Sequence, residues 1–121
     1  MAPATAIIEV ERQGDTLILT PQVNLRELEC QEIEAEEEAL LRRMDDPSIK
    51  NVVVDFHRTD YFGSSALGLF AQLRRRVRLR GGRMIFCNVS SHEAEIITVT
   101  GLAAFWPIHA SREDALAAVN A

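Results

Sequence analysis

Apolar and polar positions along the chain fall into two periods. The stretches AIIEVE (6–11) and TLILT (16–20) are short, aliphatic and partly β-branched. Gly14-Asp15 separates them, and this predicts two neighbouring strands joined by a tight turn. From Leu25 to Met44 the spacing is helical. Cys30, Ile33, Leu40, Leu41 and Met44 fall on one side and glutamates cover the rest. Acidic residues fill the early turns and Arg42-Arg43 the last, as the helix dipole favours. Asp45-Asp46-Pro47-Ser48 ends this segment. NVVVDF (51–56) is a continuous apolar run of the kind found in a strand covered on both faces. Ala66, Leu69, Phe70, Leu73 and Val77 then recur at helical spacing, predicting a helix that starts at Ser64 or Ser65. Gly81-Gly82 closes it with a left-handed cap. MIFCNV (84–89) is a second buried strand. Ser90 with Glu93 forms a capping box for a helix to about Val99, closed by Gly101. Phe105 to Ile108 is expected as a short last strand. Ser111 with Asp114 caps a final helix to Val119. Strands alternating with helices imply an α/β layered domain whose central strands are partly parallel.

Composition narrows the class. With 121 residues, 47% hydrophobic and 26% charged, the chain reads as one globular domain over 1–121, its core at about 6–119. No apolar run has the length to cross a bilayer, and MAPATAIIEV lacks the features of a secretory signal. A cytoplasmic protein is expected, with Cys30 and Cys87 as reduced thiols. The net charge of −5 argues against general nucleic-acid binding. That charge is unevenly spread, with seven glutamates within 27–38 and six arginines within 74–83. These are either solvated helix faces or a pair of oppositely charged docking surfaces. At helical spacing the arginines surround much of the circumference, so neither nucleic acid nor membrane is an expected partner.

The stretch DYFGSSALGLF (60–70) holds the candidate chemistry. A nucleophile elbow needs G-x-S-x-G, but here the last position is Leu67. A phosphate loop needs Lys and Ser or Thr after its second glycine, where this chain has Leu69 and Phe70. No His or Cys stands at zinc spacing, and His57, His92 and His109 offer no local evidence of a base. No enzyme and no cofactor are expected. What survives is a serine at the first turn of a helix, where it caps free N–H groups. The same groups and the dipole would stabilise a phosphate esterified there. By chemistry alone, capping suffices to explain both serines, and Asp55 reads as structural at a strand end.

The run from Asn51 to Ile108 resembles the STAS domain of bacterial anti-sigma-factor antagonists. Val52-Val53-Val54-Asp55-Phe56 matches its buried strand, and Gly63-Ser64-Ser65-Ala66-Leu67-Gly68 its D-S-S-G-L-G turn. Gly81-Gly82, Asn88-Val89, Thr100-Gly101-Leu102 and the helix from Ser111 to Leu116 also fall where that family has them. The resemblance implies a mixed sheet of four to five strands backed by about four helices, in a protein that binds and does not catalyse. It implies an anti-sigma factor that is also a serine kinase as partner, with a serine phosphatase reversing the modification. Transcription is the process regulated. The modified serine maps to Ser65, with Ser64 as second choice. The partner-binding surface maps to Asn24, Asp55, Asp60, Phe62, Gly63, Ser64, Ser65, Leu67 and Gly68. Gly63, Ala66 and Asn24 replace family residues, two of them aspartates. The acceptor hydroxyl remains. Two alternatives stay open: a scaffold in a signalling or transporter complex without phosphorylation, and a small-ligand site at the Asn24, Asp55 and Ser64 corner. The chain is expected as a monomer or as a weak homodimer through apolar residues near Phe62 and Trp106.

Overall fold

A computed structural model describes residues 7–22, 30–59 and 64–121, with the backbone alone at 30–33, 64 and 65. In chain order the elements are β1 (Ile8–Gln13), β2 (Thr16–Pro21), α1 (Cys30–Arg43), β3 (Asn51–Asp55), α2 (Ser64–Leu79), β4 (Met84–Cys87), α3 (Ser91–Val99), β5 (Ile108–His109) and α4 (Arg112–Val119). The five strands form one sheet in the order β1-β2-β3-β4-β5. β1 is antiparallel to β2, with Gln13 opposite Thr16, and the other pairs are parallel. Gly14, at φ +63°, supplies the positive φ that the two-residue hairpin loop requires.

The continuous apolar runs are explained by two covered faces. Val52, Val54, Met84 and Phe86 point to one side, into a core shared with Leu40, Leu69, Leu73 and Ile97 of the helices α1, α2 and α3. Val53, Ile85 and Cys87 point to the other and meet Ala115 and Val119 of α4. Alternation along each strand thus feeds two apolar layers. Phe56, Phe70 and Phe86 meet edge to face at centroid separations of 5.0–5.8 Å. Burial pushes the Cys87 thiol up to about 12, so it stays protonated and inert.

Two expectations need correction. Phe105 and Trp106 are not in a strand. A 3-10 turn occupies Leu102–Ala104, and β5 begins only at Ile108. Pro107 has no N–H with which to start the ladder earlier. Nor is Trp106 exposed: it stacks on Phe86 at 5.4 Å and 8° between planes, and is 4% accessible. Trp106 itself is therefore unavailable for self-association, while Phe105 beside it is exposed and Phe62 lies outside the described residues.

The end of α2 sets how the helix lies on the sheet. Gly82 N–H donates to Val77 O and Gly81 N–H to Arg78 O, with Gly81 at φ +72°, a Schellman closure. A Cβ on Gly82 would overlap the carbonyl oxygen of Lys50, so the turn packs backbone to backbone against the start of β3. The C-terminal end of α2 is thereby fixed at the beginning of β3, and its first turn lies toward the end where β3 finishes.

Candidate functional site

That end of the sheet is organised around one carboxylate. Asp55, the last residue of β3, has a side chain only 3% exposed. Its Oδ1 accepts from the His57 N–H (3.0 Å) and from Asn88 Nδ2 (2.9 Å), and lies 2.9 Å from His57 Nδ1. Its Oδ2 accepts from Arg112 Nε at 3.0 Å. Burial alone would raise the Asp55 pKa, but the bonds from Asn88, Arg112 and His57 outweigh it and hold the carboxyl below its ordinary range.

Each donor is delivered by its element. Asn88 sits just past β4 at φ +57°, a left-handed conformation that Asn tolerates better than most residues. Arg112 opens α4, whose first turn is fixed by Ser111 Oγ accepting from the Asp114 N–H at 3.1 Å. The same guanidinium donates to Thr20 Oγ1 of β2 and Glu11 Oε2 of β1, both at 3.3 Å. Burial disfavours its charge, yet Asp55 and Glu11 more than compensate and raise its pKa. Thr59 Oγ1, in the segment leaving β3, donates to Pro21 O at 3.2 Å. The C-terminal ends of β2, β3 and β4 are thus tied to the start of α4 on the face of the sheet that α4 covers.

The structure places the expected site residues unequally. Ser64 and Ser65 are the first two residues of α2. Ala66 after them is buried, Leu67 is half-buried against the core, and Gly68 is exposed with open space where a Cβ would stand. Asp55, at the end of β3, turns its side chain to the α4 side of the sheet and is engaged there. Asn24, Asp60, Phe62 and Gly63 lie outside the described residues. Arg112, Asn88 and His57 as partners of Asp55 were missed by sequence reasoning. The capping pattern at Ser111 placed Arg112 on a first helical turn, but nothing local connected it to a residue 57 positions earlier.

The charged tracts separate in character. Arg76 pairs with Asp45 (3.0 Å), Arg80 donates to the carbonyls of Asp46 and Ile49, and Arg83 donates to Ala118 O. Much of the basic tract therefore fastens α2 and the turn after it to neighbouring loops. Of the glutamates, Glu34 and Glu38 are exposed, whereas Glu36 is buried and accepts from the Ile8 N–H at 3.0 Å. Among the described residues no helix is long and apolar enough to cross a membrane.

The comparisons agree with this architecture. The family model described as STAS domain matches residues 8–115. A Bordetella bronchiseptica protein named as an anti-sigma factor antagonist, BtrV, is 31% identical over 81 residues, covering 67% of this chain and 70% of that protein. Among solved structures, a Thermotoga maritima protein described as an anti-sigma factor antagonist superposes with a TM-score of 0.81 at 13% identity, covering 97% of each chain. The anti-sigma factor antagonist SpoIIAA in its unphosphorylated form gives 0.72 at 18% identity, covering 93% of this chain and 97% of that one. SpoIIAA of Bacillus in its phosphorylated form gives 0.69 at 20% identity, covering 93% and 98%. With the five-stranded mixed sheet, the four helices and a family match over most of its length, this chain belongs to the STAS domain family.

Proposed function

We propose that this chain is a non-catalytic regulatory domain that binds an anti-sigma factor with serine-kinase activity through the surface at the start of α2. In this reading phosphorylation of Ser65 ends the contact, a serine phosphatase restores it, and the protein works in the cytoplasm of a bacterium. One observation carries it: Ser65 is the second residue of α2 in a fold shared with SpoIIAA, a protein known in unphosphorylated and phosphorylated forms.

The chemistry supports such a switch. The first N–H groups of a helix have no intrahelical acceptor, and the dipole there is positive. A phosphoserine brings about −1.5 to −2 charges to that point. No acidic side chain occupies the first turn of α2, so the phosphate would change the local field strongly. Asn24, Asp60, Phe62, Gly63, Ser64, Leu67 and Gly68 would supply the surrounding contact surface. Asp55 would act from the α4 side of the sheet, by holding the strand ends in place.

Intact-mass measurement of the protein from its native cells, followed by pull-down with the Ser65→Ala and Ser65→Glu variants, tests the proposal. The parent should carry one phosphate that Ser65→Ala lacks, and Ser65→Glu should lose the partner that Ser65→Ala keeps. A parent never modified, with Ser65→Glu retaining every partner, would instead make the domain a constitutive scaffold.

A further inference from the structure

A groove of about 530 Å³ opens away from the start of α2, between the second half of that helix, the beginning of β4 and the end of α4. Met84, Ile85, Ala104 and Pro107 form an apolar lining, and Arg74, Arg78 and Arg83 bring three guanidinium groups to it. Arg74 lies over the Phe105 ring at 4.7 Å and donates to Phe105 O at 3.2 Å. Burial and the like charge of Arg78 lower the Arg74 pKa, a tension that a bound anion would relieve. Arg78 is exposed, and among the described residues no carboxylate pairs with it.

The groove also contains an unfinished sheet edge. β5 pairs only with Phe86 and Cys87. Val52 N–H donates to Arg83 O, so the main chain of Met84, one residue on, faces away from β3. Phe86, two residues on, faces the same way and donates to Pro107 O at 2.9 Å. One step back along that ladder, the acceptor for Met84 N–H would be Phe105 O, which lies past the 3-10 turn and accepts from Arg74 Nε at 3.2 Å instead. The donor to Met84 C=O would be Pro107, which has no N–H. The ladder stops there, and the β5-facing side of the Met84 main chain, in a residue 4% accessible, borders the groove.

We infer that this groove docks an extended acidic segment of a partner protein. One residue of the segment pairs with the Met84 main chain, an aliphatic side chain meets the apolar lining, and flanking carboxylates meet Arg74, Arg78 and Arg83. Only a peptide uses all three features: strand addition supplies the main-chain pairing, and guanidinium forks suit carboxylates. An anionic lipid would leave the Met84 donor and acceptor unused. The inference rests on neither serine of α2.

The test is a titration of the ¹⁵N-labelled protein with a blocked Glu-Glu-Leu-Glu-Glu peptide, followed by NMR. The largest amide shifts should fall at Arg83, Met84 and Ile85, unchanged by Ser65→Glu. They should weaken by roughly five-fold or more with Arg78→Glu, which removes a rim charge and no internal contact. Replacing the peptide's leucine by glycine should weaken them similarly. Absence of shifts, shifts scattered over other arginines, or equal binding of the glycine peptide would overturn the inference. The same shifts produced by phosphatidylglycerol vesicles and not by the peptide, or by raising protein concentration alone, would also overturn it and assign the groove to lipid or to a second copy.

Discussion

At the scale of single residues, two glycines of the family pattern carry opposite constraints. Gly82 is fixed by its surroundings, because a Cβ there would overlap the Lys50 carbonyl. Gly68 is not. It lies within α2, exposed, and a Cβ built on it meets nothing within 4 Å. Glycine in an exposed helix interior costs about 1 kcal/mol relative to alanine. Folding therefore gives no reason for Gly68, but a closely approaching partner would. Gly68→Ala is expected to raise stability by about 0.5–1 kcal/mol in denaturant unfolding while lowering affinity for the anti-sigma factor. If affinity is unchanged, that face of α2 is not where the partner sits.

At the scale of elements, β1 is held by α1 as well as by β2. The Ile8 N–H, at the outer edge of the sheet, donates to Glu36 Oε1 at 3.0 Å. Burial raises the Glu36 pKa and the Ile8 bond offsets this only in part, so the ionised form is disfavoured in the folded state. A carboxyl with a raised folded pKa stabilises fully below its unfolded value and progressively less as pH rises through the folded one. Glu36→Gln keeps an acceptor for Ile8 and removes the titration. Its stability should exceed the parent's by about 1 kcal/mol at pH 7, a gain that vanishes on approaching pH 4. Thermal melts of both proteins across that range read it directly. Sequence patterning identified the four α-helices and the first four strands of the described regions, because each apolar run was bounded by a turn or cap with its own chemistry. It failed at Phe105 and Trp106, where aromatic content suggested a strand but Pro107 and stacking on Phe86 dictated a turn. It also treated Glu36 as one surface glutamate among seven, since burial of a charge depends on which strand passes over it.

At the scale of the molecule, the start of α2 at Ser64 was legible because its signals are local, whereas the partners of Asp55 were not. Asp55 and Arg112 are 57 residues apart, and only the return of α4 across the sheet brings them together. This pair fastens α4 to the C-terminal end of β3, at the end of the sheet where α2 begins, so it should govern stability and the placing of that end. Because the folded pKa of Asp55 is depressed, its contribution is present above the unfolded value and is lost as pH falls through the folded one. Asp55→Asn leaves the partly buried Arg112 with Glu11 as its remaining carboxylate and should cost about 2–4 kcal/mol at pH 7, the lower part of this range reflecting that pair and the partial exposure of the guanidinium. The deficit should begin to shrink as pH falls below about 4, where Asp55 of the unfolded chain takes up its proton, and should go on shrinking as the folded carboxyl, held lower, follows. Denaturant unfolding at pH 7 and pH 3 gives the two values to compare. Amide exchange at His57, whose N–H bonds to Asp55, should quicken in the variant. On the proposed contact surface at the start of α2, partner affinity should fall with it although the carboxylate itself is buried, since the neighbouring strand ends would no longer be tied to one another. A deficit of the same size at both pH values would mean that shape and not charge makes the latch.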